Sequence, residues 1–240
     1  MSPLDDMVCD NIGLIADYQI VLENILGAHS ASLDRSNSTI EFHTDSGDSY
    51  SSKAQIIGSY VESSGKWTWA WGGYLNFFDN YSLEAAEAIK KIGKSSNIEM
   101  LTKRKIKVDK NKPWDFVIYG AALLKLPFYR ILHKESEIFL LLENTDIVHQ
   151  ESPPISEFAA RYQEAIRMTF IIQQRRALTS YANQHGYQIL ERDLYVTVLD
   201  SVGYQLIFEF DEYDIFKGLI DHIPSSKLQS SSQKSNSWDS

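Results

Sequence analysis

AQIIGSYVESSGKWTWAWGG, residues 54–73, is the stretch on which the reading of this chain turns. Trp67, Trp69 and Trp71 recur every second residue. A strand sends alternate side chains to opposite faces, so the three indoles are expected on one face, with Thr68 and Ala70 on the other. Ser63-Ser64-Gly65-Lys66 supplies a turn whose glycine suits a left-handed position and a bulged hairpin. That turn sets Trp67, Trp69 and Trp71 opposite Val61, Ser59 and Ile57. A two-residue turn at Ser64-Gly65 would set them opposite Glu62, Tyr60 and Gly58. The first register places more apolar surface beside the indoles and is favoured.

Working outward, the hairpin extends on its N-terminal side. Ser38–Thr44 alternates as a strand, Asp45-Ser46-Gly47-Asp48 carries turn residues, and a strand from about Ser49 to Val61 follows, which makes a three-stranded meander. Before it, residues 7–27 form a first helix, with apolar positions at Leu14, Tyr18, Val21, Leu22, Ile25 and Leu26, closed by Gly27. After it, Ser82 is expected to cap a helix through Ile92 that Gly93 stops. Residues 97–108 are read as extended. Pro113 opens a helix that Pro127 ends, and Phe128–His133 with Ile138–Glu143 form a second hairpin.

Gln150 to Pro154 marks a boundary, because two prolines fix the backbone and remove donors. Beyond it the pattern gives one long helix over 155–185, whose locally β-branched stretch 169–172 could admit a break. A hairpin follows, Leu190–Leu199 with Tyr204–Phe210, and then a short helix over 214–222. From Pro224 the chain is Ser, Gln, Lys and Asn with little to bury, and is expected to be disordered. The fold class is therefore α+β: an antiparallel sheet, meander plus C-terminal hairpin, flanked by helices, then a helix–hairpin–helix extension and a tail. The domain reading is 1–150, 151–223 packing on it, and 224–240.

Composition bounds the function. With 23 Lys and Arg against 32 Asp and Glu, the formal net charge is −9, so most of the surface repels nucleic acid. Cys9 is the one cysteine, which excludes an intrachain disulfide and suits a reducing compartment. Residues 1–30 lack a basic start and a clean apolar core, and no apolar run approaches the ~20 residues that span a bilayer. The expected address is the cytosol, with no membrane association.

The segment Ile57-Gly58-Ser59-Tyr60, followed by a short turn and the WxWxW run, resembles a family of uncharacterised bacterial domains. Those domains carry a similar GSY…WxWxW hairpin followed by an alanine-rich helix, here Leu83–Gly93, and a later helix and apolar hairpin, here Trp114–Leu126 and Phe128–Glu143. The resemblance covers roughly residues 14–143. It implies an uncharacterised domain and no reaction. This chain departs in having Gly72-Gly73 where the family tends to have Ala-Asn, and in everything after Pro154.

The indole face is read as core. The competing reading is a partly open pocket that binds or turns over a small ligand, with Tyr60, Trp69 and Trp71 as its candidates. The densest positive run holds Lys103, Arg104, Lys105 and Lys107, with Lys110 and Lys112 beyond. It is an anion-facing candidate for an acidic partner, set against a lysine-blunted edge strand. No aromatic interleaves with it, so nucleic acid is disfavoured. The six histidines form no ligand spacing, and neither phosphate loops nor GxSxG occur, so no metal, cofactor or catalytic residue is assigned. His133, Glu135 and Glu143 could meet across their hairpin, and Arg161, Arg167, Arg175 and Arg176 could pair with Glu209, Asp211, Glu212 and Asp214. The leading expectation is a non-catalytic bacterial cytosolic interaction domain, of the immunity or conflict-system kind, with a protein partner.

Overall fold

Strand β3, Ser49–Val61, is the element from which the first sheet branches. The computed structural model describes residues 3–34, 36–72, 83–143, 153–168 and 173–224, the last four by backbone only. It separates into two compact units, Met1–Gln150 and Glu151–Ser240. The expected cap Ser82, the stretch 169–172 that could admit a break and the tail beyond residue 224 lie outside the described residues.

The fold is α+β. In the first unit, helix α1 spans Pro3–Leu26 and Gly27 closes it at φ +53°. Strands β1 (His29–Asp34), β2 (Thr39–Thr44), β3, β4 (Lys66–Trp69) and β5 (Lys105–Lys107) lie in that order in one antiparallel sheet. A hairpin of β6 (Phe128–His133) and β7 (Ser136–Leu142) joins through β7, which also pairs with β3. Helix α2 (Glu84–Ser95) and helix α3 (Lys112–Leu124) complete the unit. Strand β1 was absent from the sequence reading, since His29-Ser-Ala-Ser-Leu-Asp34 is largely exposed and carries little alternation.

Three local readings change. The 97–108 stretch is extended only at β5, and Glu99–Leu101 is a 3₁₀ turn instead. Gly93 lies inside α2 and does not stop it: a Cβ there would fall 2.5 Å from Leu101 Cβ, so the glycine lets the following turn close on the helix. The hairpin after β3 is also longer than either register assumed. Glu62–Ser64 forms a 3₁₀ turn capped by Gly65 at φ +61°, which leaves Val61 paired with Lys66, Tyr60 with Trp67 and Gly58 with Trp69. Four residues are spent in the turn, so both expected registers are overturned.

The second unit holds α4 (Ile155–Met168), α5 (Gln174–Gln184) and a four-stranded antiparallel meander. Its strands are β8 (Gln188–Arg192), β9 (Tyr195–Leu199), β10 (Tyr204–Phe210) and β11 (Phe216–Pro224). Two expectations fail here. Residues 190–199 are interrupted by a turn with Asp193 at φ +39°, and 214–222 is not a helix. Asp211 accepts the amide N–H of Tyr213 and of Ile215, each at 2.9 Å, and builds the turn that lays Phe216–Pro224 along β10. A helix there would leave the edge of β10 unpaired. The core of this unit is aromatic: Phe158 stacks on Tyr181 at 4.6 Å, and Tyr162 lies edge-on to Phe208 and Phe216. The Tyr162 phenol is pushed far above its ordinary pKa by burial, and its hydroxyl donates to the Gln174 carbonyl at 2.8 Å.

Candidate functional site

The WxWxW run does not keep its alternation to the end. Trp67 and Trp69 lie in β4, but Ala70–Gly72 turns into a 3₁₀ helix and carries Trp71 off the strand. Trp67 and Trp69 have no exposed surface. They meet edge-on at 5.3 Å and close around Phe116 of α3 and Phe139 of β7. Trp69 Nε1 donates to the Met100 carbonyl at 3.0 Å. Tyr60, opposite Trp67, is also buried, and burial first, then the nearby Glu62 and Glu137 carboxylates, raise its phenol pKa.

Trp71 instead packs against a separate aliphatic cluster containing Ile56, Ala70, Ala86 and Leu140. Lys90 Nζ sits 4.2 Å from its ring centroid. Of the three pocket candidates, Tyr60 and Trp69 therefore belong to one core and Trp71 to another. The Nε1 atoms of Trp67 and Trp71 are buried without a hydrogen-bond partner.

The positive run behaves differently. Strand β5 lies at the end of the strand order, paired to β4 by Lys66 with Lys107, Trp67 with Ile106 and Thr68 with Lys105. Val108 donates to Gly65 at 2.8 Å and Trp69 donates to Arg104 at 3.2 Å. Those bonds mark residues 104, 106 and 108 as the inward-bonded positions of β5. Lys66 and Lys107 then form a non-hydrogen-bonded pair, the closer of the two antiparallel spacings. Two like charges face each other there, and among the described residues no ion pair is recorded to either. Lys66 was missed by the sequence reading because it lies 37 residues before the run begins at Lys103, and only the sheet joins them.

The other cations are largely engaged. Lys103 pairs with Glu99 at 2.5 Å and Lys110 with Glu62 at 2.8 Å. The Glu62 carboxyl is held below, and the Lys110 ammonium above, its ordinary pKa by their mutual hydrogen bond. Lys112 bridges Asp5 of α1 at 2.7 Å and Asp115 of α3 at 2.8 Å. Burial alone would lower the Lys112 pKa, but its hydrogen bonds to Asp115 and Asp5 outweigh burial and leave it raised. Arg104 packs over Gly72, where a Cβ would meet its Cγ at 2.7 Å. A cavity of about 500 Å³ beside β5 is lined by Met100, Lys107, Val108, Asp109 and Lys112.

A third arrangement was not foreseen. Gln55, buried in β3, accepts the Ala85 amide N–H at 2.6 Å and donates through Nε2 to the Glu143 carboxylate. One amide thus caps α2 and fixes a carboxylate. The signal was a polar residue inside the apolar run AQII. Glu84, Ala88, Leu124 and Leu126 line the adjoining cavity of about 460 Å³. His133 and Glu143, which could have met across their hairpin, do not, because the register sets His133 opposite Ser136, whereas Glu143 follows Leu142 at the Pro127 end of the hairpin. In the second unit Arg175 reaches Asp214 at 3.4 Å and Glu191 at 3.2 Å, while Arg161 and Arg167 pair with Glu157 and Glu164 on their own helix. Cys9 is buried within α1. Among the described residues no group of three or more His, Cys, Asp or Glu is placed to hold a metal, and no helix is long and apolar enough to cross a membrane.

A family model described as a family of unknown function, DUF6882, matches residues 5–145, more than half of the chain. The chain belongs to that family. Neither a comparison with curated proteins nor one with solved structures gives a match.

Proposed function

We propose that this member of the DUF6882 family is a bacterial cytosolic interaction domain, of the kind used in immunity and conflict systems, that docks an acidic protein through the β4–β5 edge. The observation that carries the reading is the Lys66–Lys107 pair. On a chain of net charge −9, two lysines directly opposed across a ladder cost stability, and an anionic partner relieves that cost. Lys103, Arg104 and Lys105 extend the positive edge on the same segment.

What weighs against the pocket reading is that Tyr60 is buried and Trp69, packed on Phe116 of α3, has no exposed surface. The test uses a defined probe: poly-glutamate, with poly-lysine and single-stranded DNA as controls, read by anisotropy of the labelled polymer. Salt-sensitive binding to poly-glutamate, lost in the Lys66→Glu/Lys107→Glu variant, supports docking. Equal binding of DNA, or silence toward every polyanion, overturns it. A saturable change in tryptophan fluorescence with a small molecule, kept in that variant, would restore the pocket.

A further inference from the structure

We infer that the second unit carries a docking surface of its own, at the end of its sheet where the β8–β9 and β10–β11 turns lie side by side, and that an arginine-bearing cationic segment of another protein occupies it. Nine large apolar side chains are exposed among the described residues, and eight of them fall between Leu190 and Ile220. Exposed apolar side chains are ordinary when scattered singly, whereas their concentration marks an interaction surface. In an antiparallel meander the turns alternate between the two ends of the sheet, so these two turns share one end. The Phe210 N–H donates to the Leu194 carbonyl at 2.8 Å and ties them together. Tyr213 at this end is 73% exposed, and Leu194 and Tyr195 are each 40% exposed.

The end is built to hold its shape. Asp211 accepts two amide N–H groups within its own turn. Arg175 of α5 reaches Glu191 and Asp214, donates to the Tyr195 carbonyl at 3.3 Å and lies 5.8 Å over the Phe210 ring. One guanidinium thus fastens β8, β9 and the turn before β11 to the helix. Turns fixed in this way lose little freedom when a partner binds.

Charge decides the occupant. The two turns and the strand ends beside them carry six carboxylates, Glu191, Asp193, Glu209, Asp211, Glu212 and Asp214. Against them stand Arg192, Lys217 and the bridging Arg175, so the end remains anionic. Lys217 is taken by Glu209, and Glu191 and Asp214 by Arg175. Asp193 and Glu212, one in each turn, are exposed and form no ion pair among the described residues. A second copy of this end would set carboxylate against carboxylate, and nucleic acid or an anionic membrane would be repelled. A purely apolar segment would cover Asp193 and Glu212 and leave them without partners. A guanidinium suits both parts of the surface, since it forks a carboxylate and stacks on a phenol ring. An ammonium lacks the planar fork, so arginine is favoured over lysine.

The test uses the full chain and three labelled heptapeptides, alternating glycine with arginine, lysine or citrulline, read by anisotropy. The arginine peptide should bind in a salt-sensitive way, about threefold or more tighter than the lysine peptide, with citrulline silent. Asp193→Asn/Glu212→Gln should weaken it about tenfold. The asparagine tolerates the positive φ of Asp193, and both sites are exposed. Tyr213→Ala should weaken it about threefold. Glu23→Gln/Glu41→Gln removes the same charge from exposed sites in the first unit and should leave binding within about twofold of wild type. Far-ultraviolet circular dichroism checks that every variant folds. Silence toward the arginine peptide, equal binding of citrulline or lysine, an unchanged Tyr213→Ala, or an equal loss in the first-unit variant each overturns the inference. Poly-glutamate binding at the β4–β5 edge is a separate measurement, so either surface can fail while the other stands.

Discussion

Trp67 Cζ2 lies 2.6 Å from the point where a side chain at Gly58 would begin. The Thr68 carbonyl oxygen is 2.7 Å from the same point, so backbone as well as indole closes the space. Gly58 is opposite Trp69, and it is the absence of a Cβ that lets the indole of Trp67 lie across β3. Gly58→Ala should therefore destabilise the first unit by about 2 kcal/mol or more, through overpacking against a side chain that cannot swing away. Chemical denaturation followed by tryptophan fluorescence measures it, and a loss below half that value would mean the sheet yields.

Trp69→Phe tests the hydrogen bond to Met100. The ring change is modest, but the Met100 carbonyl loses its donor, at a cost of about 1–3 kcal/mol. Trp71→Phe should cost less, because the Nε1 of Trp71 has no hydrogen-bond partner to lose. Comparing the two unfolding midpoints decides the order.

Gln55→Leu should cost about 1–3 kcal/mol, since it removes the acceptor for the Ala85 amide and the donor to Glu143 together. Gln55→Glu sets two carboxylates side by side and makes the defect depend on pH. Repulsion raises their folded pKa values above the ordinary carboxylate value of about 4. The variant should thus approach wild-type stability below that pH and fall behind as pH rises through the folded value. Unfolding midpoints across acid to neutral pH read the sign directly.

The Asp5–Lys112–Asp115 bridge ties α1 to α3. Because the folded Lys112 pKa is raised, its contribution is fully present below the ordinary lysine value and is lost as pH rises through the higher folded value. Lys112→Met should cost about 1 kcal/mol at neutral pH, the pair being partly exposed, and the gap to wild type should close in strongly alkaline solution. Parallel denaturation of both proteins at the two pH values checks this.

Lys66→Glu should raise stability and lower binding at once. Replacing a like-charge pair with an opposite one across β4 and β5 gains about 0.5 kcal/mol. The same change subtracts from the cationic edge that the proposed partner meets. A variant that is more stable yet still binds acidic peptide undiminished would place docking elsewhere.

Alternation in 39–44, 49–61 and 128–142, the closing glycine at 27 and the opening proline at 113 were sufficient, in sequence alone, to specify an antiparallel sheet with helices around it. These are local signals: side-chain period, left-handed backbone and fixed φ act over a few residues and need no partner. Register is different. It depended on how many residues the turn at Glu62–Gly65 consumed, and the observed register is the one in which the Trp67 indole lies against Gly58, a contact between strands. The same holds for Phe216–Pro224, helical by local pattern but drawn into a strand because β10 offered a bonded edge. The lysine edge shows the division most directly. The sequence placed four cations within residues 103–107, but only the sheet brought Lys66 opposite Lys107, and the ladder alone determined which main-chain groups point outward.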